Sequence, residues 1–231
     1  MELIHQFGYG SLIFAPELPD RLLGRALATL PGYRRSFNKR SRARACPRAL
    51  SFDAFPDVVP AAFCQDGQHL SLALGTVPDP TASLTGVLLS YPTEVEAELT
   101  ARSDAREGYV PGRARRLNGY LPAQLGVLRA DTGAEVTATV YLSNPDPDGI
   151  YRVGEEVDLR TRAMILINAT PRGAEDADAT AVRGLHYLEG VRRDLRTLGI
   201  VDGALEAIAA AVLALPGPWT ALVAAPERAT F

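Results

Sequence analysis

Lysine is almost missing from this chain. Lys39 is the only one in 231 residues, so arginine supplies nearly all of the positive charge. We read that as compositional bias rather than function. The formal net charge of −3 gives no general attraction to nucleic acid. Histidine is scarce, and His5, His69 and His186 lie far apart in sequence. The two cysteines, Cys46 and Cys64, form no Cys-x-x-Cys pair. Neither the spacing of a metal site nor that of a disulfide framework is present. Both cysteines read as small buried hydrophobes, and each histidine as a core or surface side chain. No apolar run reaches the roughly 20 residues of a membrane helix. The opening MELIHQF lacks the basic and apolar regions of a secretory leader. The expectation is a cytoplasmic protein with no membrane or nucleic-acid partner.

What is present suits one sizeable core. Hydrophobic residues make up 47% of the chain, enough for a single domain over 1–215 followed by a tail over 216–231. The segment ELIHQFGYG predicts a strand ending at glycines. RALATLPGYRRSF has strand character, and the basic NKRSRARACPR, without periodicity, reads as a loop. ALSFDAF is expected as a short strand and Pro56–Gly67 as a loop. LSLALGTV and LTGVLLSYP predict strands split by the turn-rich PDPTAS. TEVEAELTARSDARE predicts a helix, with Thr93 as N-cap, Glu96 completing a capping box and Gly108 ending it. RARRLNGY, AQLGVLRAD and EVTATVYLS predict three more strands, the last with clean alternation. The final third switches to helical period. Leu185, Leu188, Leu195 and Leu198 share one face, and so do Leu205, Ile208, Val212 and Leu215. The class is α+β, strands first and helices after.

Three places can carry chemistry. The loop Gly8–Leu12 has glycines on both sides of Tyr9. It is either a plain turn or a concavity of backbone amides for an anion, reached through positive φ or close approach. Ser11 lacks a local base and is not in a Gly-x-Ser-x-Gly elbow, so a nucleophilic role is unsupported. The second place is SDAREGYVPG, where Glu107 ends a helix. The negative end of the helix dipole would raise its pKa towards the range useful for acid–base catalysis. The bland alternative is a surface glutamate. Asp104 is one turn earlier, to orient Glu107 or an arginine, or simply to be solvated. The third place is Arg34–Arg48, either a solvated loop or one or two anion-binding arginines. With only Phe37 interleaved, it is a poor nucleic-acid surface.

FGYGSLIF, GYRRSFNKRS, SDAREGY and VYLSNPDPDGIY, in that order, resemble the gamma-glutamylcyclotransferase family. The nearest branch is ChaC-like, which acts on glutathione. The resemblance runs from about residue 3 to about residue 215, and NATPRGAEDADATAVRGLHYLEGVRRDLRTLGIVD looks like that branch's C-terminal region. It implies a mixed β-barrel with flanking helices, a helical C-terminal region, and no metal or organic cofactor. It implies a small γ-glutamyl substrate converted to 5-oxoproline and a released amino acid, dipeptide or amine, by a monomer or homodimer. Carried over, Glu107 is the general base and acid. Tyr9, Gly10, Ser11 and Leu12 form the substrate loop, Arg35 is a further substrate-binding residue, and Tyr141, with Tyr151, flanks the pocket. Phe14 and Asn38 stand where the branch shows tryptophan, and REGY lacks two residues usual there. The alternatives are a cyclotransferase for γ-glutamylamines and a non-catalytic binding module.

Overall fold

The computed structural model describes residues 2–172 and 182–224. Part of the expected C-terminal likeness, residues 173–181, lies outside them. The chain divides into two compact units: 1–36 with 75–152, and 37–74 with 153–231. Among the described residues no helix is long and apolar enough to cross a membrane.

The first unit holds a closed β-barrel. Its strands are β1 (Leu3–Gly8), β2 (Gly24–Pro47), β4 (Gln68–Pro92), β5 (Tyr120–Arg129) and β6 (Glu135–Ser143). A short β3 (Cys64–Gln65) pairs with the start of β4 in the second unit. The order β1-β6-β5-β2-β4 closes on itself through an antiparallel β1–β4 ladder from Leu3↔Pro92 to Gly8↔Val87. The β1–β6 seam is parallel and rests on one pair, Gln6↔Thr139. Phe7, Tyr9, Ala28, Leu30, Leu84, Leu88, Val127, Ala138 and Val140 fill the barrel. These residues alternate along their strands, as a filled small barrel requires. A Cβ at Gly86 would stand 2.7 Å from Phe7 Cζ and collide with the Gly8 carbonyl, so the β1–β4 crossing needs glycine there. Helix α1 (Glu96–Glu107) buries Leu99 and Ser103.

Several expectations change. The basic loop is strand: β2 runs unbroken from Gly24 to Pro47. The two strands split at PDPTAS are one strand, β4. Pro78 and Pro80 are two apart, so their missing N–H groups face the same edge. Neither β1 nor β3 pairs with β4 at that point. RARRLNGY is a 3-10 turn over Arg115–Leu117, with β5 starting at Tyr120. ALSFDAF holds a 3-10 turn, Arg48–Leu50, and one isolated bridge at Ser51. Thr93 does not cap α1: its hydroxyl donates to the Glu2 carbonyl at 2.7 Å. The end of α1 is as expected, with Gly108 at φ 67 and Tyr109 N–H donating to Asp104 O at 2.9 Å.

The second unit is largely helical: α2 (Leu159–Asn168), α3 (Gly184–Thr197), α4 (Gly203–Leu213) and α5 (Thr220–Ala224). The sequence reading missed α2. Every residue from Arg162 to Asn168 is buried, so it has no polar face to give it a period. Arg162 is satisfied by the carbonyls of Val157, Phe37 and Gly154 at 2.7–2.8 Å. Helix α5 occupies part of the expected tail, and Trp219 before it stacks edge-on with Phe52 and Phe55.

Candidate active site

The candidate residues all belong to the first unit. After β1 the chain folds into a 3-10 turn over Ser11–Ile13, with Ile13 N–H donating to Gly10 O at 3.0 Å. The amides of Ser11 and Leu12 open that turn and have no carbonyl within it to bond. Positive φ is not the reason for the glycines. Gly10 has φ −133, and neither it nor Gly8 lies in the left-handed region. Close approach is the reason at Gly8, where a Cβ would stand 3.0 Å from Leu12 Cβ and 3.3 Å from Ile13 N. Tyr9 and Leu12 are buried, while Gly10 and Ser11 are half-buried.

Arg106 ties this loop to the end of α1. Its guanidinium donates to Ser11 Oγ at 3.0 Å, Ala15 O at 2.7 Å and Glu17 Oε1 at 2.7 Å. Ser11 thus faces a cation rather than a base. Arg35, expected as a substrate ligand, is 1% exposed. Its Nε donates to Tyr9 O at 2.7 Å and its Nη2 to Thr85 O. The guanidinium is spent on the backbone of the loop and of β4.

Glu107, the last residue of α1, has a side chain 16% exposed, with Oε1 3.9 Å from Arg106 Nε. Tyr141 lies on β6 and is 3% exposed. Its hydroxyl donates to Asp104 Oδ1 at 2.6 Å, and its carbonyl accepts from Tyr9 O–H at 2.5 Å. Burial pushes the Tyr141 phenol far up, and the hydrogen bond and charge of Asp104 and the charge of Glu107 push it further. It remains a neutral O–H at any physiological pH. Asp104, half-buried, is Tyr141's acceptor. Tyr151 is half-buried in the turn after β6.

Two residues escaped the sequence reading. Gln6 is 2% exposed, donates from Nε2 to Ser103 Oγ at 2.9 Å, and leaves a buried Oε1 with no partner. With Ser103 and Tyr141 it lines a cavity of about 390 Å³ where the β1–β6 seam meets α1. Glu107 and the loop residues are not among those lining it. A polar residue on a strand whose neighbour Phe7 points into the barrel was the available signal. The arginines of Arg34–Arg48 are engaged locally. Arg34 pairs with Asp79 at 3.6 Å, and Arg48 with Asp53 at 2.7 Å. Arg40 donates to Ala62 O, and Arg44 lies 3.5 Å over the Tyr187 ring.

The fold is that of the gamma-glutamyl cyclotransferases. The chain is similar to a crystal structure of selenomethionine-labelled yeast gamma-glutamyl cyclotransferase specific to glutathione. The TM-score is 0.64 at 18% identity, over 92% of this chain and 96% of that one. A second crystal structure of the yeast glutathione-specific enzyme matches with TM-score 0.58 and 19% identity, over 91% of this chain and 98% of that one. No family model matches the chain, and no curated protein matches its sequence.

Proposed function

We propose that the chain is a gamma-glutamyl cyclotransferase. It would convert a small γ-glutamyl peptide, glutathione among them, to 5-oxoproline and a released amine-bearing fragment. The observation that carries this reading is the gathering of Glu107, Asp104, Tyr141 and the Ser11 turn at one place on this fold. The reacting amine and carbonyl belong to the same γ-glutamyl group, so the entropic part of the barrier is already lowered. The remaining needs are proton transfer and pose.

Glu107 would take a proton from the substrate's ammonium group. The freed amine attacks the γ-carbonyl, the lactam C–N bond forms, and the peptide C–N bond breaks. Glu107 then returns the proton to the departing nitrogen, and the second proton that the attacking nitrogen sheds on becoming the lactam N–H passes to the released amine. The amides opening the Ser11 turn would hold a substrate carboxylate or the developing oxyanion. Arg35 acts through the loop it holds, not through substrate. No step calls on a metal or organic cofactor.

The test is 5-oxoproline release from glutathione, several γ-glutamyl dipeptides and a γ-glutamylamine. Glu107→Gln should keep the circular dichroism spectrum and lower turnover by roughly 10²–10⁴. Parental turnover in that variant would remove Glu107 from the mechanism. No release from any substrate by the folded protein would reject the activity and leave only the fold.

A further inference from the structure

The stretch from Pro56 to Gly67, expected as loop, ends in a hairpin. Cys64 faces His69 across it, and Gln65 faces Gln68. The turn residues Asp66 (φ 51) and Gly67 (φ 71) are both left-handed, the type I′ geometry that Asp-Gly favours. That turn makes Gln65 and Gln68 the hydrogen-bonded pair. Cys64 and His69 are then the next, non-hydrogen-bonded pair, with Cα atoms only about 4.5 Å apart. Their side chains meet, with Cys64 Sγ 3.4 Å from His69 Nδ1.

The other ring nitrogen is also engaged. His69 Nε2 lies 3.0 Å from Asp53 Oδ1, and the second oxygen of Asp53 accepts from Arg48 Nε at 2.7 Å. Burial alone would raise the Asp53 carboxyl. The hydrogen bond and charge of Arg48, with the His69 hydrogen bond, outweigh it and hold Asp53 below its ordinary value. A carboxylate only accepts, so Nε2 carries the hydrogen and the neutral ring offers the Nδ1 lone pair to the thiol. The imidazole is 1% exposed, whereas Cys64 is only half-buried. Thiol, imidazole and carboxylate stand in series, and among the described residues no three such groups converge as they would around a metal.

The backbone supports the same arrangement. Asp53 has φ 45, a conformation uncommon for a residue with a Cβ. Its neighbours hold it there: Phe52 N–H donates to Thr170 O at 3.1 Å, and Ala54 and Phe55 N–H donate to Asn168 Oδ1 at 2.9 and 3.1 Å. Backbone fixed in this way at a polar cluster is a pattern of functional sites.

We propose that Cys64, His69 and Asp53 form a nucleophilic relay that makes Cys64 a modification site for low-molecular-weight disulfides. The Sγ proton passes to His69 Nδ1, and Asp53 stabilises the imidazolium. The thiolate attacks one sulfur of the disulfide. A Cys64 Sγ–S bond forms, the reagent's S–S bond breaks, and the departing thiolate takes the proton from His69. One thiol and one disulfide become one mixed disulfide and one thiol, with His69 neutral again. The site shares no residue with the Glu107 group and does not depend on the cyclotransferase reading.

The experiment is the rate of mixed-disulfide formation with cystine, read by intact mass at about pH 6, where an ordinary thiol is almost wholly protonated. N-acetylcysteine is the reference thiol. One adduct should form, on Cys64, because Cys46 is 0% exposed. It should form about tenfold or more faster than on N-acetylcysteine. Cys64→Ser should abolish it, and His69→Gln and Asp53→Asn should each reduce it to the reference rate. Asparagine tolerates left-handed φ, so Asp53→Asn tests the relay without disturbing the backbone. If His69→Gln unfolds, both cysteines react and the second adduct reveals it; Asp53→Asn then decides. A parental rate no faster than N-acetylcysteine, or an Asp53→Asn rate equal to the parent's, would overturn the proposal.

Discussion

Replacing Arg35 with methionine separates a residue that holds the candidate-site loop from one that binds substrate. The side chain is 1% exposed and donates to the carbonyls of Tyr9 and Thr85. Methionine fills much of the same volume and offers no donor. Each lost bond from a charged donor is worth about 1.5–3 kcal/mol. Tyr9 is buried and its carbonyl is stranded, whereas Thr85 is half-buried and within reach of water. Removing a buried cation returns part of the loss, because its desolvation no longer opposes folding. The net expectation is about 2–4 kcal/mol of destabilisation. For a chain of this size that is a fall in Tm of roughly 5–15 °C. Arg35→Lys, with one donor position instead of a fork, should fall between. Urea unfolding and 5-oxoproline release would be followed together. Lower stability with lower kcat is the expected pattern. A variant of parental stability whose KM alone rises would show that Arg35 contacts substrate and would refute the positioning argument.

Gly86→Ala should cost about 1–3 kcal/mol or more in urea unfolding, since the added methyl meets the Gly8 carbonyl and the Phe7 ring at a closed barrel seam. An unchanged unfolding midpoint would mean the β1–β4 crossing is looser than described. Asp158 accepts from Thr161 N–H at 2.6 Å at the start of α2, and that bond holds its carboxyl below the ordinary 3.8. A depressed carboxyl stabilises above its unfolded value and loses that contribution as pH falls through the folded one. Asp158→Ala should therefore lower Tm at pH 7, with the gap to the parent narrowing below about pH 4. A gap independent of pH would mean the charge contributes nothing.

The parts of the fold that could be read from sequence are those whose burial follows a local period. Strand β6 alternates, and its predicted bounds, 135–143, are the observed ones. The end of α1 was legible because Gly108 must be left-handed there. The basic half of β2 was not. Its arginines look like a solvated run, but they are held by Ala62 O, Gln65 and the face of Tyr187, which are remote in sequence. Helix α2 was missed for the opposite reason, being buried all round. At the candidate site, the loop and Glu107 were legible as motifs. That Arg35 points at backbone, that Asp104 belongs to Tyr141, and that Gln6 leaves an acceptor over were not, because each depends on pairings across the barrel. Cys64 was set aside for want of a Cys-x-x-Cys partner and His69 because the histidines lie far apart; their own pairing is visible only once Asp66-Gly67 is recognised as a two-residue turn.

The two units are interleaved along the chain, and that fixes the order in which each can be completed during synthesis. The barrel unit has all its residues once position 152 has emerged from the ribosome. The helical unit has only 37–74 by then, and must wait for 153 onward. Two of the crossings between units, at 36/37 and 74/75, fall inside β2 and β4 rather than in linkers. Until residues 153–168 have followed, the Cys64–His69 hairpin exists without α2, whose Asn168 fixes the Asp53 backbone. A nascent chain halted when residue 152 has emerged and α2 has not would have every residue of the barrel unit but no Asn168 beside Asp53, so its Cys64 reactivity would be that of an ordinary thiol until α2 arrives.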